Sequence, residues 1–152
     1  MFSIFFKGVI DLDNEQLKLE NQLCFPLYAS AKEVVKRYKP YLDEIGLTYT
    51  QYIAMMVLWE HQTINVKTLG EYLHLDSGTL TPLLKRLEAA GFIKRKRDSK
   101  DERNVIIKLT PAGEALKEPA SLIPEKIKQC LPISDEEAIT LYRLLYKILG
   151  SN

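Results

Sequence analysis

The sequence predicts a mainly α-helical fold with one small β-hairpin. Three observations predict it: apolar residues recur at three- and four-residue spacing over most of the chain, capping residues precede these segments, and two β-branched segments flank one polar loop. The chain has 152 residues, 46% hydrophobic and 27% charged, which is enough to bury a core without disulfides or metals. One compact domain is therefore expected.

Residues 1–14 are expected to form a flexible tail or arm. Their apolar opening segment is too short to cross a membrane, and it carries one basic residue, Lys7, and no small-residue cleavage site. These features make a poor membrane anchor and a poor signal peptide. A cytoplasmic protein without a membrane partner is therefore expected.

The first helical region is predicted over residues 15 to about 45. Pro26 lacks a backbone donor and crowds the preceding turn, so the helix should start late, kink or distort around Cys24. Pro40 and Gly46 are expected to mark its ragged end.

Two capped helices should follow. Thr48 and Gln51 fit the Thr-x-x-Gln capping box, which opens a helix over roughly Gln51–His61. Asn65 is suited to cap a short helix over Val66–Leu73.

A further helix is predicted over about Gly78–Ala90. Ser77 is expected to cap it, Pro82 lies near its first turn, and Gly91 stands where a helix commonly ends in a left-handed residue.

The β-hairpin is predicted next. Phe92–Arg97 and Asn104–Leu109 are rich in β-branched or aromatic residues, and they flank the polar loop Asp98–Arg103. Arg95, Lys100 and Arg103 are expected near the tip.

The C-terminal region is predicted to contain helices that Pro119 and Pro124 kink or break. Thr110 and Pro111 suit the cap and the first position of the first of these helices, and a second capping box precedes the last one. The two terminal regions have more apolar surface than the central module can cover, and pairing with a second chain would bury it. We therefore assign residues 15–47 and 111–152 to a helical dimerisation region and residues 48–110 to a central module.

Positive charge is concentrated in one short segment. Lys85–Lys108 holds nine basic and four acidic residues, a net charge of +5, which leaves −4 for the rest of a chain whose total is +1. Such asymmetry is typical of a surface that binds a polyanion. A solvated hairpin, which Lys and Arg commonly decorate, is the alternative reading.

The order of short helix, tight turn, capped helix and β-hairpin is that of a winged helix-turn-helix. The start of the capped helix points backbone N–H groups toward phosphate, and the wing suits the minor groove, a role for which we choose Arg103. An inert helical domain is the alternative. Candidate contacts with double-stranded DNA are Ser77, Thr79, Thr81, Lys85, Arg86, Arg95 and Arg103.

Two parts of this module resemble the MarR family. Leu75–Glu88 resembles its recognition helix, and the segment from Arg95 onward resembles its wing, including an Asp-x-Arg element formed by Asp101 and Arg103. Asn21–Phe25 resembles the first helix of the OhrR branch, the organic-peroxide sensors. The resemblance implies a homodimeric repressor that binds a pseudo-palindromic operator, with half-sites about 34–36 Å apart.

The two cysteines are the candidate sensor. No CxxC motif occurs and the two histidines stand alone, so no metal and no cofactor are expected. On the residues alone, Cys24 is most simply a small packing residue. The resemblance implies instead that Cys24 is a peroxide-reactive thiol, hydrogen-bonded by Tyr38 and Tyr49 of the partner subunit.

Cys130 lies where a two-cysteine subgroup carries a resolving thiol. The resemblance therefore implies an inter-subunit disulfide between Cys24 and Cys130 that releases DNA. The alternative is that Cys130 is a packing cysteine and Cys24 forms mixed disulfides with small thiols.

Two rival functions remain open at this stage. A small phenolic or aromatic ligand would release DNA in the first, with both cysteines incidental. An enzyme such as a thiol peroxidase is the second, and it is disfavoured because Cys24 lacks a recognisable catalytic surrounding.

Overall fold

The computed structural model describes residues 15–97 and 104–150, and its helices and strands follow the predicted order. Two short 3-10 turns, at Glu15–Leu17 and Leu19–Asn21, precede the first helix. The remaining elements are α1 (Cys24–Glu44), α2 (Tyr49–His61), β1 (Thr63–Asn65), α3 (Val66–Leu73), α4 (Ser77–Ala89), β2 (Ile93–Arg97), β3 (Val105–Leu109), α5 (Pro111–Ala115), α6 (Lys117–Ser121), α7 (Ile123–Cys130) and α8 (Asp135–Ile148).

Of the three outcomes expected around Cys24, the structure shows the late start. Helix α1 begins at Cys24, which places Pro26 in the first turn, where a missing N–H group loses no intrahelical bond. The prediction that Pro40 marks the ragged end is wrong, because α1 continues through Pro40 to Glu44. Pro40 is exposed, so water can satisfy the carbonyl that its ring leaves unpaired. Gly46 follows the helix with φ at +70°.

The caps of α2 and α3 form as predicted. The Thr48 side chain accepts the N–H of Gln51, and the Gln51 side chain accepts the N–H of Thr48 at 2.8 Å. The Asn65 side chain accepts the N–H of Thr68 at 2.8 Å. Each bond satisfies a donor that the start of a helix would otherwise leave unpaired.

Helix α4 differs from the prediction in its cap. Asp76, and not Ser77, is the capping residue, and its carboxylate accepts the N–H of Thr79 at 2.8 Å. Ser77 is the first helical residue. Pro82 also lies deeper than predicted, inside the helix and beyond its first turn. Gly91 follows the helix with φ at +80°, as the sequence indicates.

The predicted hairpin is part of a three-stranded antiparallel sheet with the order β1-β3-β2. Strands β2 and β3 pair from Ile93 with Leu109 to Arg97 with Val105. Strand β1 is absent from the prediction, and it pairs with the far edge of β3 through Ile64 and Ile107.

The core lies where α1 to α4, the sheet and α5 to α7 meet. Trp59 is buried, and its indole N–H donates to the carbonyl oxygen of Gly113 at 2.9 Å, which ties α2 to α5. A Cβ at Gly113 would lie 2.2 Å from the carbonyl oxygen of Phe92, so a larger residue does not fit there. Other fully buried side chains are Leu42, Met55, Leu58, Leu69, Leu80, Leu84, Leu87, Ile93 and Ile107.

The C-terminal region breaks into short helices, as its prolines predict. The breaks fall at Leu116 and Leu122, and the last helix opens with the predicted capping box of Ser134 and Glu137. No residue of α8 is buried. Its exposed apolar side chains, with that of its C-cap, are Ile139, Leu141, Tyr142, Leu144, Leu145, Tyr146, Ile148 and Leu149.

Within residues 15–97 and 104–150, no helix combines the length and the apolar character needed to span a bilayer.

Candidate nucleic-acid interface and cysteine sites

Helix α4 presents the predicted polar residues on its exposed side. Its leucines face the core, whereas the side chains proposed to meet DNA are exposed. The hydroxyl of Thr81 donates to the carbonyl oxygen of Ser77 at 2.7 Å. The exposed members of the predicted set on this helix are Ser77, Thr79, Thr81, Lys85 and Arg86.

An open cleft of about 980 Å³ lies between α3, the start of α4 and the half of the hairpin nearer its loop. Asp76, Ser77 and Thr81 line one side, and Arg95 and Val105 line another. The capped end of α4 therefore borders a concave surface beside the wing.

Arg95 lies in the middle of β2, and the prediction that it is near the tip is wrong. Its Nε and one terminal nitrogen donate to Oε2 of Glu88 at 2.8 Å and 2.7 Å, and its backbone N–H donates to Oε1 at 2.9 Å. These hydrogen bonds hold the pKa of Glu88 below its ordinary value. Arg95 therefore joins the wing to α4, an arrangement that the sequence analysis missed.

The solvent face of the sheet is strongly basic. Lys94 and Lys96 are exposed on β2, and Lys108 is directly opposite Lys94 on β3. Like charges at opposed positions destabilise a sheet unless an anion offsets them. Among the ion pairs of the described residues, none includes these three lysines. Asp101 and Arg103 lie outside the described residues, so their contacts with DNA stay predictions.

The two cysteines lie at opposite kinds of helix end. Cys24 is the first residue of α1 and Cys130 is the last residue of α7. Both are free and exposed in the single chain. Each thiol is therefore open to a reactant or to a second chain.

Tyr38 and Tyr49 lie next to each other between α1 and α2. Their ring centroids are 5.0 Å apart in an edge-to-face arrangement, and Tyr52 packs against Tyr38 at 5.9 Å. Both residues are half-buried, and burial raises the pKa of each phenol. Their hydroxyls therefore keep their protons at neutral pH and remain hydrogen-bond donors.

Two residues near Cys130 are missing from the predicted site. Arg37 donates a hydrogen bond to the backbone carbonyl of Cys130, and the hydroxyl oxygen of Tyr41 lies 4.0 Å from its Sγ. These contacts join α1 to the end of α7. No local pattern could have indicated them, since about 90 residues separate the partners.

Taken together, the fold and the exposed face of α4 define a winged helix-turn-helix protein. Residues 36–119 match the family described as transcriptional regulator SarA/Rot. The chain is 53% identical over 135 residues to the organic hydroperoxide resistance transcriptional regulator of Bacillus subtilis, covering 89% of this chain and 92% of that protein. The chain therefore belongs to the MarR/SarA group of transcriptional regulators, in its OhrR-like branch.

Two solved structures of AbfR from Staphylococcus epidermidis are also similar to this chain. Reduced AbfR bound to DNA has a TM-score of 0.75 at 37% identity, covering 91% of this chain and 96% of that one. Disulfide-formed AbfR has a TM-score of 0.63 at 37% identity, covering 91% and 97%. The chain is thus closer in backbone to the reduced, DNA-bound form than to the disulfide form.

Proposed function

We propose that the protein is a homodimeric repressor that binds a pseudo-palindromic operator in double-stranded DNA and releases it when an organic hydroperoxide oxidises Cys24. The observation that carries the DNA-binding part is the exposed polar face of α4, which begins at a capped helix end and borders the basic wing. Helix N-termini bind phosphate through free N–H groups, and short hydroxyl side chains reach base edges. Reduced AbfR bound to DNA, which shares this fold, supports the same assignment.

Each residue type has a proposed role at the DNA. Thr79 and Thr81 contact base edges or phosphates, while Lys85 and Arg86 neutralise phosphates further along the groove. Arg103 enters the minor groove from the wing, next to Asp101.

The exposed apolar face of α8 supports the dimer. A monomeric protein rarely leaves so many large apolar side chains of one helix in water, and a twofold pair would bury them symmetrically. A twofold axis also repeats α4, which gives two reading helices for the two halves of an operator about 34–36 Å apart.

Oxidation of Cys24 is the proposed signal. The thiolate attacks the distal oxygen of the hydroperoxide, the O–O bond breaks, an S–O bond forms, and the alkoxide takes a proton to leave as an alcohol. Tyr38 and Tyr49 of the partner subunit would donate hydrogen bonds that favour this thiolate. Their raised pKa values keep them protonated for this purpose.

The sulfenic acid then condenses with Cys130 of the partner subunit to give a disulfide and water. The exposure of both thiols supports this step, as does the existence of a disulfide-formed AbfR structure. Because Cys24 begins α1 and Cys130 ends α7, a bond between them would pull on two helices that frame the winged module. The spacing of the two α4 helices would change, and the operator would be released.

The test begins with a duplex selected from a random pool by the reduced protein. Cumene hydroperoxide should release this duplex from the wild type and should not release it from Cys24→Ser. Cys130→Ser is the matched control, since it keeps the sensing thiol but cannot form the disulfide.

Failure of the selection would contradict DNA binding, and release from Cys24→Ser at the wild-type dose would contradict redox sensing. Release of both proteins by a phenolic ligand such as salicylate, without peroxide, would favour the ligand-responsive alternative.

A further inference from the structure

The end of α7 places Cys130 in a polar cluster provided mainly by α1. Arg37 donates a hydrogen bond to the carbonyl of Cys130, and the hydroxyl of Tyr41 lies 4.0 Å from Sγ, at the outer limit for a hydrogen bond to sulfur. Arg37 and Tyr41 are one helical turn apart, so they share a face of α1. Lys126 of α7 lies over the Tyr41 ring, with Nζ 5.1 Å from its centroid.

A thiolate at the C-terminal end of a helix is ordinarily disfavoured. The last carbonyls of a helix have no intrahelical donors, and they give this end a partial negative charge. At Cys130, Arg37 donates to one of these carbonyls and brings a positive charge to this end of the helix. The local arrangement therefore opposes the effect of the helix end.

Tyr41 adds a donor for the sulfur itself. A phenol hydrogen bond favours a thiolate over a thiol, because the charged sulfur is the better acceptor. The contact with Cys130 raises the pKa of Tyr41, so its hydroxyl keeps its proton at pH values where thiols ionise.

We propose that Arg37 and Tyr41 are positioning residues that hold Cys130 against α1 and favour its thiolate, which makes it a ready nucleophile for the resolving step. This inference rests on the proposed function, because that step needs the sulfenic acid at Cys24 of the partner subunit. The Cys130 thiolate attacks the sulfenic sulfur, the S–S bond forms and the S–O bond breaks. Hydroxide leaves and takes a proton from solvent, and the organic hydroperoxide has already supplied the oxidising equivalents.

Two ion pairs lie at or near this cluster, and one of them includes Arg37. Glu33 lies 3.4 Å from Arg37, and Lys128 pairs with Asp135 of α8 at 2.9 Å. The negative charge of Glu44 is a weaker cause of the raised pKa of Tyr41 than the contact with Cys130. The groups facing Cys130 and its neighbours are thus Glu33, Arg37, Tyr41 and Glu44 of α1, Lys126 and Lys128 of α7, and Asp135 of α8.

The first test measures Cys130 alone, in a Cys24→Ser protein, by iodoacetamide alkylation across a pH series. Tyr41→Phe keeps the ring but removes the hydroxyl, and it should raise the pH midpoint of alkylation by about half a unit, a roughly threefold loss of thiolate at neutral pH. Arg37→Met should shift the midpoint in the same direction. Tyr72→Phe, at an exposed position of α3, is the matched control and should leave it unchanged.

The pH midpoint of alkylation reports the ionisation of the Cys130 thiol directly. The plateau rate does not, because a thiolate with a higher pKa is also intrinsically more nucleophilic. Midpoints that stay put in both Tyr41→Phe and Arg37→Met would overturn the inference, whatever the protein does with DNA.

The second test uses the chain with both cysteines and cumene hydroperoxide. Tyr41→Phe should form the inter-subunit disulfide about twofold more slowly, because the higher nucleophilicity of its thiolate offsets part of the threefold loss of thiolate. Dimedone should then trap more sulfenic acid at Cys24. Equal disulfide rates in Tyr41→Phe and wild type would also overturn the inference. A wild type that never forms the disulfide would instead contradict the proposed function, and the alkylation midpoints would still report on Tyr41 and Arg37.

Discussion

Truncating Ile139 to alanine should weaken the proposed dimer about 100-fold. Ile139 lies on the apolar face of α8 and is 61% exposed in the single chain. The substitution removes three carbons, worth about 2.4 kcal/mol when fully buried, so the exposed part is worth about 1.5 kcal/mol. A twofold interface loses this contribution twice, about 3 kcal/mol, which corresponds to roughly two orders of magnitude in the dissociation constant.

Sedimentation equilibrium of the reduced protein over a series of concentrations measures this change. Alanine favours helix more than isoleucine does, so the folded chain itself should not be weakened at this exposed position. Thr140→Ala, at the adjacent exposed position, is the matched control and should dissociate as the wild type does. A monomeric wild type at tens of micromolar, or equal dissociation constants for Ile139→Ala and Thr140→Ala, would refute the reasoning.

Three further predictions concern the winged module. Trp59→Phe removes the donor to Gly113 and should lower the free energy of unfolding in urea by about 1–3 kcal/mol. Unfolding is followed by circular dichroism, because the variant lacks the only tryptophan and its fluorescence. An unchanged urea midpoint would show that this hydrogen bond does not stabilise the fold. Arg95→Met and Glu88→Gln should both weaken DNA binding without changing its salt dependence, because the ion pair positions the wing. If the slope of log K against log salt concentration fell by about 0.9 in Arg95→Met alone, Arg95 would instead contact a phosphate directly. The pKa values of Asp76 and Glu88 are lowered, so the ionised forms of both carboxylates stabilise the fold at pH values above about 4, the ordinary carboxyl pKa. The free energy of unfolding should therefore fall as acid protonates them, and it should fall less steeply in Glu88→Gln.

Features of the fold that depend on neighbouring residues were predictable from the sequence. The capping box of Thr48 and Gln51 forms within one helical turn, and so does the one at Ser134. The late start of α1 was one of the outcomes predicted at Pro26, because a proline in the first turn removes no intrahelical hydrogen bond.

The cap of α4 shows where local reasoning ends. Asp76 and Ser77 are both good capping residues, and the choice depends on which of them takes an extended backbone at the end of the preceding turn. Strand β1 was not predicted for a similar reason, since its three residues pair with β3, which is distant in sequence. Sequence periodicity carries no signal for so short a segment.

The candidate site likewise has one part that local sequence predicts and another that depends on how distant elements pack. The exposed face of α4 follows from helical spacing, and the structure places its predicted residues there. Arg95 could not be assigned its partner, because the choice between Glu88 and DNA depends on how the hairpin packs on α4. The contact of Tyr41 with Cys130 depends on the packing of α1 against α7, which only the complete fold determines.

The central claim is that sulfur chemistry at Cys24 changes the separation of two recognition helices. The most direct measurement is a distance between spin labels at Lys85 of both chains, introduced through an unnatural amino acid so that both cysteines stay free. The reduced dimer should show one narrow distribution compatible with helices about 34–36 Å apart. Cumene hydroperoxide should shift it in the wild type and leave it unchanged in Cys24→Ser, whereas the same distribution before and after oxidation of the wild type would contradict the account.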